Sequence, residues 1–256
     1  MRLSVAIQLF ALSAFFCGGA LAFTALQFDA AVSRSVSRTN GAVTAWVSTR
    51  HGVIASPCHA AGSGWEAPRY DRDGSIDFFS GTGVSSPLSF PHSESGLVSR
   101  VFIVADGFNA ATYRTLLDAP CPLRLISADG DAAEHFATSS VLSSIALSID
   151  YAQATAYSSG LHLYEIALAD PCPLNDFYLG GSPATPAWKR SWNGSVHEVI
   201  FAAPSMSATE ASVIRSYLSK RWETGRYRSG ESDELAMLRA LGIRTGGVYG
   251  SMLIMR

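Results

Sequence analysis

The chain has 256 residues, of which 48% are hydrophobic and 16% charged, with a formal net charge of −2. That size suits one large β domain, or one domain with appendages, and the composition supports a buried core and excludes a disordered chain. The charges are scattered, with neither a basic block for nucleic acid nor an acidic tail for cations.

At the N-terminus, Arg2 precedes the apolar run LSVAIQLFALSAFF, then CGGALA, with small residues at Ala20 and Ala22. This layout predicts a secretory signal peptide over 1–22, cleaved after Ala22. The other reading is an uncleaved anchor, because the run approaches the ~20 residues a span needs. No later segment is long enough to span a membrane. Export places the chain outside the cell, on its surface or in the periplasm, all oxidising compartments. Cys58, Cys121 and Cys172 remain, and two sit in matching contexts, LDAPCPL and LADPCPL. A Cys121–Cys172 disulfide follows, leaving Cys58 odd; the alternative is three free, buried thiols. The spacing matches no CxxC metal pattern, so no zinc site is expected.

Along the chain, TALQFDAAV reads as a strand, SRSVSRTNG as a polar loop and AVTAWVST as a strand around Trp46. From His51 to Asp73 the Gly, Pro, Ser and Asp content predicts a long surface loop. SIDFFSG, LVSRVFIVAD, TYRTLLDA, LRLIS, SSIALSID, LHLYEIALA, DFYLGG and SVHEVIFA continue as strands. Short strands at roughly 8–12-residue spacing predict an all-β sandwich or barrel. The absence of βα alternation and of a Gly-rich phosphate loop argues against a nucleotide-binding α/β fold.

One helix breaks the series. Ser207 and Glu210 form a capping-box pattern, and Val213, Ile214, Tyr217, Leu218 and Trp222 recur on one helical face. Gly225 suits the C-terminal cap. The 225–256 tail divides into a linker ETGRYRSGES, a short helix DELAMLRALG ended by Gly242, and a final strand GVYGSMLIMR. Such an apolar strand is expected to pair with a sheet edge of this domain, or with an identical neighbour in self-association.

The run from Trp192 through Gly194, Val196, Glu198 and Val199, followed by Tyr217, Leu218, Arg221 and Trp222, resembles the end of a laminin-G-like (concanavalin A-like) domain of secreted bacterial proteins. Those domains often close with W-x-G-x-[IV]-x-E-[VI] and a helix ending Y-L-x-x-[KR]-W. The resemblance covers roughly Leu26 to Trp222, although the usual central D-x-S-G-x-G loop is absent. It implies a two-sheet antiparallel jelly-roll sandwich over 23–224 with a short helix packed on it. It implies no single activity, because the fold hosts lectins, adhesion modules, glycanases and structural modules.

Retaining glycanases on this fold carry two carboxylates on one strand, about 5 Å apart. Glu198 has no acid two residues away on either side, and ESDE at Glu231–Glu234 has the wrong spacing. Period-two alternation puts Glu198 on one face with Val196 and Ile200, and His197 on the other. Glu198 and Trp222 are therefore read as structural, with Glu198 bonded to backbone N–H groups or to an arginine of the helix or its flank. The six histidines are scattered and no G-x-S-x-G occurs, so no hydrolase triad is recognised.

Binding candidates lie in GGSPATPAWKRSWNG, where Trp188 and Trp192 flank Lys189 and Arg190. Exposed indoles would meet sugar C–H groups and the cations would hold acidic groups; alternatively both indoles fold back onto the core. Superfamily members often bind Ca²⁺. Here Asp71 and Asp73 in DRDG, with Asp129 and Asp131 in SADGD, offer oxygen ligands, although Asp-Gly is also ordinary turn chemistry. No other cofactor is expected. The expected function is a secreted, non-enzymatic module that binds a carbohydrate or surface polymer or serves structurally. The alternative is a carbohydrate-active hydrolase with an unrecognised site.

Overall fold

The computed structural model describes residues 23–60, 64–78, 84–91, 96–107, 114–119, 123–127, 136–137, 145–153, 160–183, 191–224 and 232–245. The expected signal peptide and tail strand lie outside these residues, as do Trp188, Lys189, Arg190, Cys121, Asp129, Asp131 and Gly225.

The strands are β1 (Ala25–Asp29), β2 (Val36–Thr39), β3 (Ala42–Val47), β4 (Ile54–Pro57), β5 (Arg69–Tyr70), β6 (Ile76–Asp77), β7 (Leu88–Ser89) and β8 (Leu97–Gly107). They continue as β9 (Arg114–Ala119), β10 (Leu123–Ser127), β11 (Phe136–Ala137), β12 (Ile145–Ile149), β13 (Ala152–Gln153), β14 (Gly160–Pro173), β15 (Tyr178–Leu179) and β16 (Ser195–Ala202). Two helices follow, α1 (Ala208–Thr224) and α2 (Ser232–Ala240).

The strands pair antiparallel in one sheet that curls back on itself. One layer runs β13-β12-β14-β8-β16, then through β6, β5 and β3; β1 lies along the free side of β16. The other layer runs β4-β7-β15-β9-β10-β11. An all-β antiparallel sandwich with helix packed on it is thus the fold of the protein.

Aromatic side chains join the layers. The Phe28 ring of β1 meets Phe90, beside β7, at 5.4 Å, and Phe201 of β16 meets Phe177, beside β15, at 5.4 Å, both edge-on. Trp46 packs edge-on against Phe28 at 5.5 Å. Such edge-to-face pairs add about 0.5–1.5 kcal/mol each beyond area burial.

A second apolar cluster lies on the outer face of β8 and β16. Phe102, Val104, Ile200 and Ala202 there meet Ile214, Tyr217 and Leu218 of α1 and Leu238, Leu241 and Ile243 of and after α2. The capping box that starts α1 is complete: Ser207 N–H donates to Glu210 Oε2 at 2.7 Å, and Glu210 N–H donates back to Ser207 Oγ at 3.2 Å. The short helix expected in the tail is α2, and Gly242, at φ +82°, ends it by donating N–H to Arg239 O.

Two expectations need correction. The polar loop SRSVSRTNG holds a 3-10 turn and strand β2, and Asn40 and Gly41, both at positive φ, close a hairpin onto β3. The long loop His51–Asp73 holds β4 and β5. Each of these segments is only two to four residues long, so register with longer strands, not local pattern, makes them strands.

Cys172 is buried and disulfide-bonded, whereas Cys58 is a free thiol. The partner of Cys172 lies outside the described residues. Peptide mapping without reductant is expected to join Cys172 to Cys121; a Cys172 peptide linked to any other cysteine would reject the pairing.

Candidate functional site

Glu198 lies in β16, which is buried along its whole length, and its side chain is 0% exposed. A register shift in the β16–β8 pairing falls between Val196 and Glu198. The bulge puts Val196 and Val199 in the core between the layers, and leaves Glu198 under α1 with Ile200. The expected grouping of Glu198 with Val196 on one face is therefore corrected: strict alternation fails at the bulge. His197 also turns toward α1. Its ring sits edge-on to Trp222 at 4.9 Å, and Nε2 lies 3.6 Å from Asp106 Oδ2.

Four donors converge on the Glu198 carboxylate. Gln27 Nε2 donates at 2.6 Å and Tyr217 Oη at 3.1 Å to Oε1; Arg221 Nη1 at 3.0 Å and Trp222 Nε1 at 2.9 Å to Oε2. Arg221 also holds Asp29 with both Nη atoms, at 2.9 and 3.1 Å, and reaches Tyr217 Oη. One buried guanidinium thus faces two buried carboxylates. Burial pushes the Glu198 carboxyl up from 4.5 to about 7; Arg221 opposes the rise, and Asp29 adds to it. A value near 7 is what a general acid needs, but the side chain of this carboxyl is 0% exposed. Its hydrogen bonds tie β1, β16 and α1 together.

Trp192 is 2% exposed, belongs to the core between the layers, and donates Nε1–H to Asp106 O at 2.7 Å. Its indole offers no face to a ligand, which corrects its place among the binding residues. Gly194 follows because a Cβ there would collide with the backbone of Asp106 and Gly107. The W-x-G spacing thus wraps this strand entry around Asp106, whose Oδ1 accepts Ser195 N–H at 2.6 Å. Replacing Gly194 by alanine is expected to cost about 1–3 kcal/mol, as overpacking does. Thermal melting monitored by circular dichroism checks it, and an unchanged midpoint would refute the close approach.

Asp71 and Asp73 belong to the tight turn between β5 and β6. Gly74 there takes φ +86°, and Asp73 Oδ1 accepts Ser75 N–H and Oγ–H at 3.0 and 2.7 Å. Among the described residues, no group of three or more His, Cys, Asp or Glu side chains is placed to hold a metal ion. No helix among them is long and apolar enough to cross a membrane.

Among the described residues, a groove of about 450 Å³ lies on the outer face of β8, β12 and β14, beside α1. Its charged lining is Arg100 of β8, Glu165 of β14 and Arg215 of α1; Ala146, Ser148 and Ala167 form a small-residue floor. Arg215 grips Glu165 with Nε at 2.6 Å and Nη2 at 2.9 Å, and Arg100 Nη1 bonds the same carboxylate. Burial pushes the Glu165 carboxyl up, but the bonds and charges of Arg215 and Arg100 prevail and hold it below its ordinary value.

Tyr151 stands at the rim, 52% exposed. It and Asp150 form the two-residue turn between β12 and β13, with φ +73° and +47°. That left-handed geometry is costly for tyrosine. It is held by Asp150 Oδ1, which accepts Leu163 N–H at 2.9 Å, and by Tyr151 Oη, which donates to Arg215 O at 3.1 Å.

The sequence reading missed Arg100, Tyr151, Glu165 and Arg215. Two carried a signal like that of Glu198: Arg100 and Glu165 are charged residues flanked by apolar neighbours in the strands LVSRVFIVADG and LHLYEIALA.

No family model matches the chain, and neither a curated protein nor a solved structure matches it.

Proposed function

We propose that the protein is an exported, non-enzymatic recognition module of laminin-G-like type that binds a carbohydrate or surface polymer. The observation that carries this reading is the state of the acid in the groove. Glu165 is its one carboxylate among the described lining residues, shared by two guanidinium groups and held ionised. A general acid must keep its proton near neutral pH, which this arrangement opposes. The rim tyrosine and the unused guanidinium N–H groups suit binding instead.

The test is a screen of the full chain against insoluble and soluble glycans. It records both retention on the polymer and reducing ends released. Retention without release is expected. Release of reducing ends would replace this reading with the hydrolase, and a complete lack of retention would remove carbohydrate as the ligand.

A further inference from the structure

We infer that the groove beside α1 seats the acidic group of an anionic glycan, between Arg100 and Arg215 and against the ring of Tyr151; this rests on the recognition reading above. The charge count motivates it. Two guanidinium groups share one carboxylate, so the cluster is one negative charge short of balance. The buried cluster of Asp29, Glu198 and Arg221 has the opposite imbalance, but it is sealed. Here the side chains of Arg100 and Arg215 remain 33% and 27% exposed.

The donors are available. Arg215 spends Nε and Nη2 on Glu165, which leaves Nη1; Arg100 spends Nη1, which leaves Nε and Nη2. A carboxylate or sulfate entering the groove meets these N–H groups without breaking the bonds that hold them. Glu165 fixes both guanidinium groups in advance, so little side-chain freedom is lost on binding.

Two features favour a sugar over an acidic peptide. Tyr151 is a rigid aromatic face, pinned at its hydroxyl and by its turn, of the kind that takes sugar C–H groups. The Ala146, Ser148 and Ala167 floor leaves a broad, shallow bed, and 450 Å³ lies in the usual range for small-ligand sites, about 300–1,000 Å³.

The experiment is calorimetric titration of the full chain with two charged polymers and their uncharged twins: polygalacturonate against its methyl ester, and dextran sulfate against dextran. Polyglutamate is the peptide control. Variants are Arg100→Gln, which leaves the Arg215–Glu165 pair intact, and Ala146→Trp, which fills the groove without touching a charge. At least one charged polymer should bind, at least tenfold tighter than its twin and more weakly as salt rises. Both variants should lose at least tenfold while keeping their melting temperature. Equal binding of charged and uncharged twins, or variants that bind like the parent chain, would overturn the inference while leaving the recognition reading intact. Polyglutamate binding as tightly as the best polysaccharide would show a site for acidic chains generally and overturn the glycan assignment. If neither these polymers nor any in the wider screen is retained, both readings fall together.

Discussion

Replacing Arg221 by methionine is expected to destabilise the domain by about 3–5 kcal/mol at pH 8, the usual cost of removing one partner from a buried ion pair. Arg221 is 3% exposed and faces Asp29 and Glu198, at 1% and 0%. Methionine fills much of the volume but leaves both carboxylates without their cation. The loss should be smaller at pH 5, where Glu198 already carries a proton. Urea denaturation at the two pH values checks this. A loss equal at both would mean that Arg221 neutralises Asp29 alone. Arg221→Lys should fall between, because a point charge cannot reproduce the two-pronged grip on Asp29.

The second large effect is on pH dependence. The Glu198 carboxyl stands at about 7 in the folded chain against an ordinary 4.5. A group raised in this way stabilises the fold fully below the unfolded value and loses that contribution as pH climbs through the folded one. The interval from 4.5 to about 7 corresponds to about 3 kcal/mol. His51, lowered by burial and by Arg50, works in the opposite direction over part of the same window. The comparison that isolates Glu198 is therefore the parent chain against Glu198→Gln. The variant should cost about 1–3 kcal/mol at pH 5, because its amide N–H₂ would oppose a donor such as Gln27 Nε2. That amide cannot turn over, since Gln27 Oε1 already accepts Thr49 Oγ1–H and Arg244 N–H. The cost should shrink toward pH 8 as the parent loses its own advantage. A cost that is constant or grows with pH would mean that Glu198 stays ionised throughout.

These two residues also show where a sequence stops being readable. The α1 start was legible because a capping box is local: Ser207 and Glu210 stand three apart and satisfy each other. The long strands β8, β14 and β16 were legible from β-branched and aromatic content. Side-chain direction was not, because one bulge before Glu198 breaks the alternation on which facing is judged. The short strands β4 and β5 carry too few residues for a periodic signal and exist through their neighbours. The groove was hidden for a different reason. Arg100, Glu165 and Arg215 come from three elements, with successive gaps of 65 and 50 residues, so no spacing announces them. What a charge flanked by apolar strand residues tells is that a partner exists, not where it is.

The position of β1 has a consequence for how the chain is made. It pairs with β16 through Ala25↔Ala202 and Asp29↔Glu198. Gln27 also bonds Arg244, 217 residues further on. During synthesis the first strand emerges long before its partner, with Leu26 and Phe28 carrying no sheet to cover them. Closing a loop of that length has an entropic cost that only the finished strand pairs offset, and folds dominated by such distant contacts assemble slowly. The nascent chain therefore passes through a stage in which its earliest strand is sticky and unpaired, and holding that segment apart from other chains is part of making the protein.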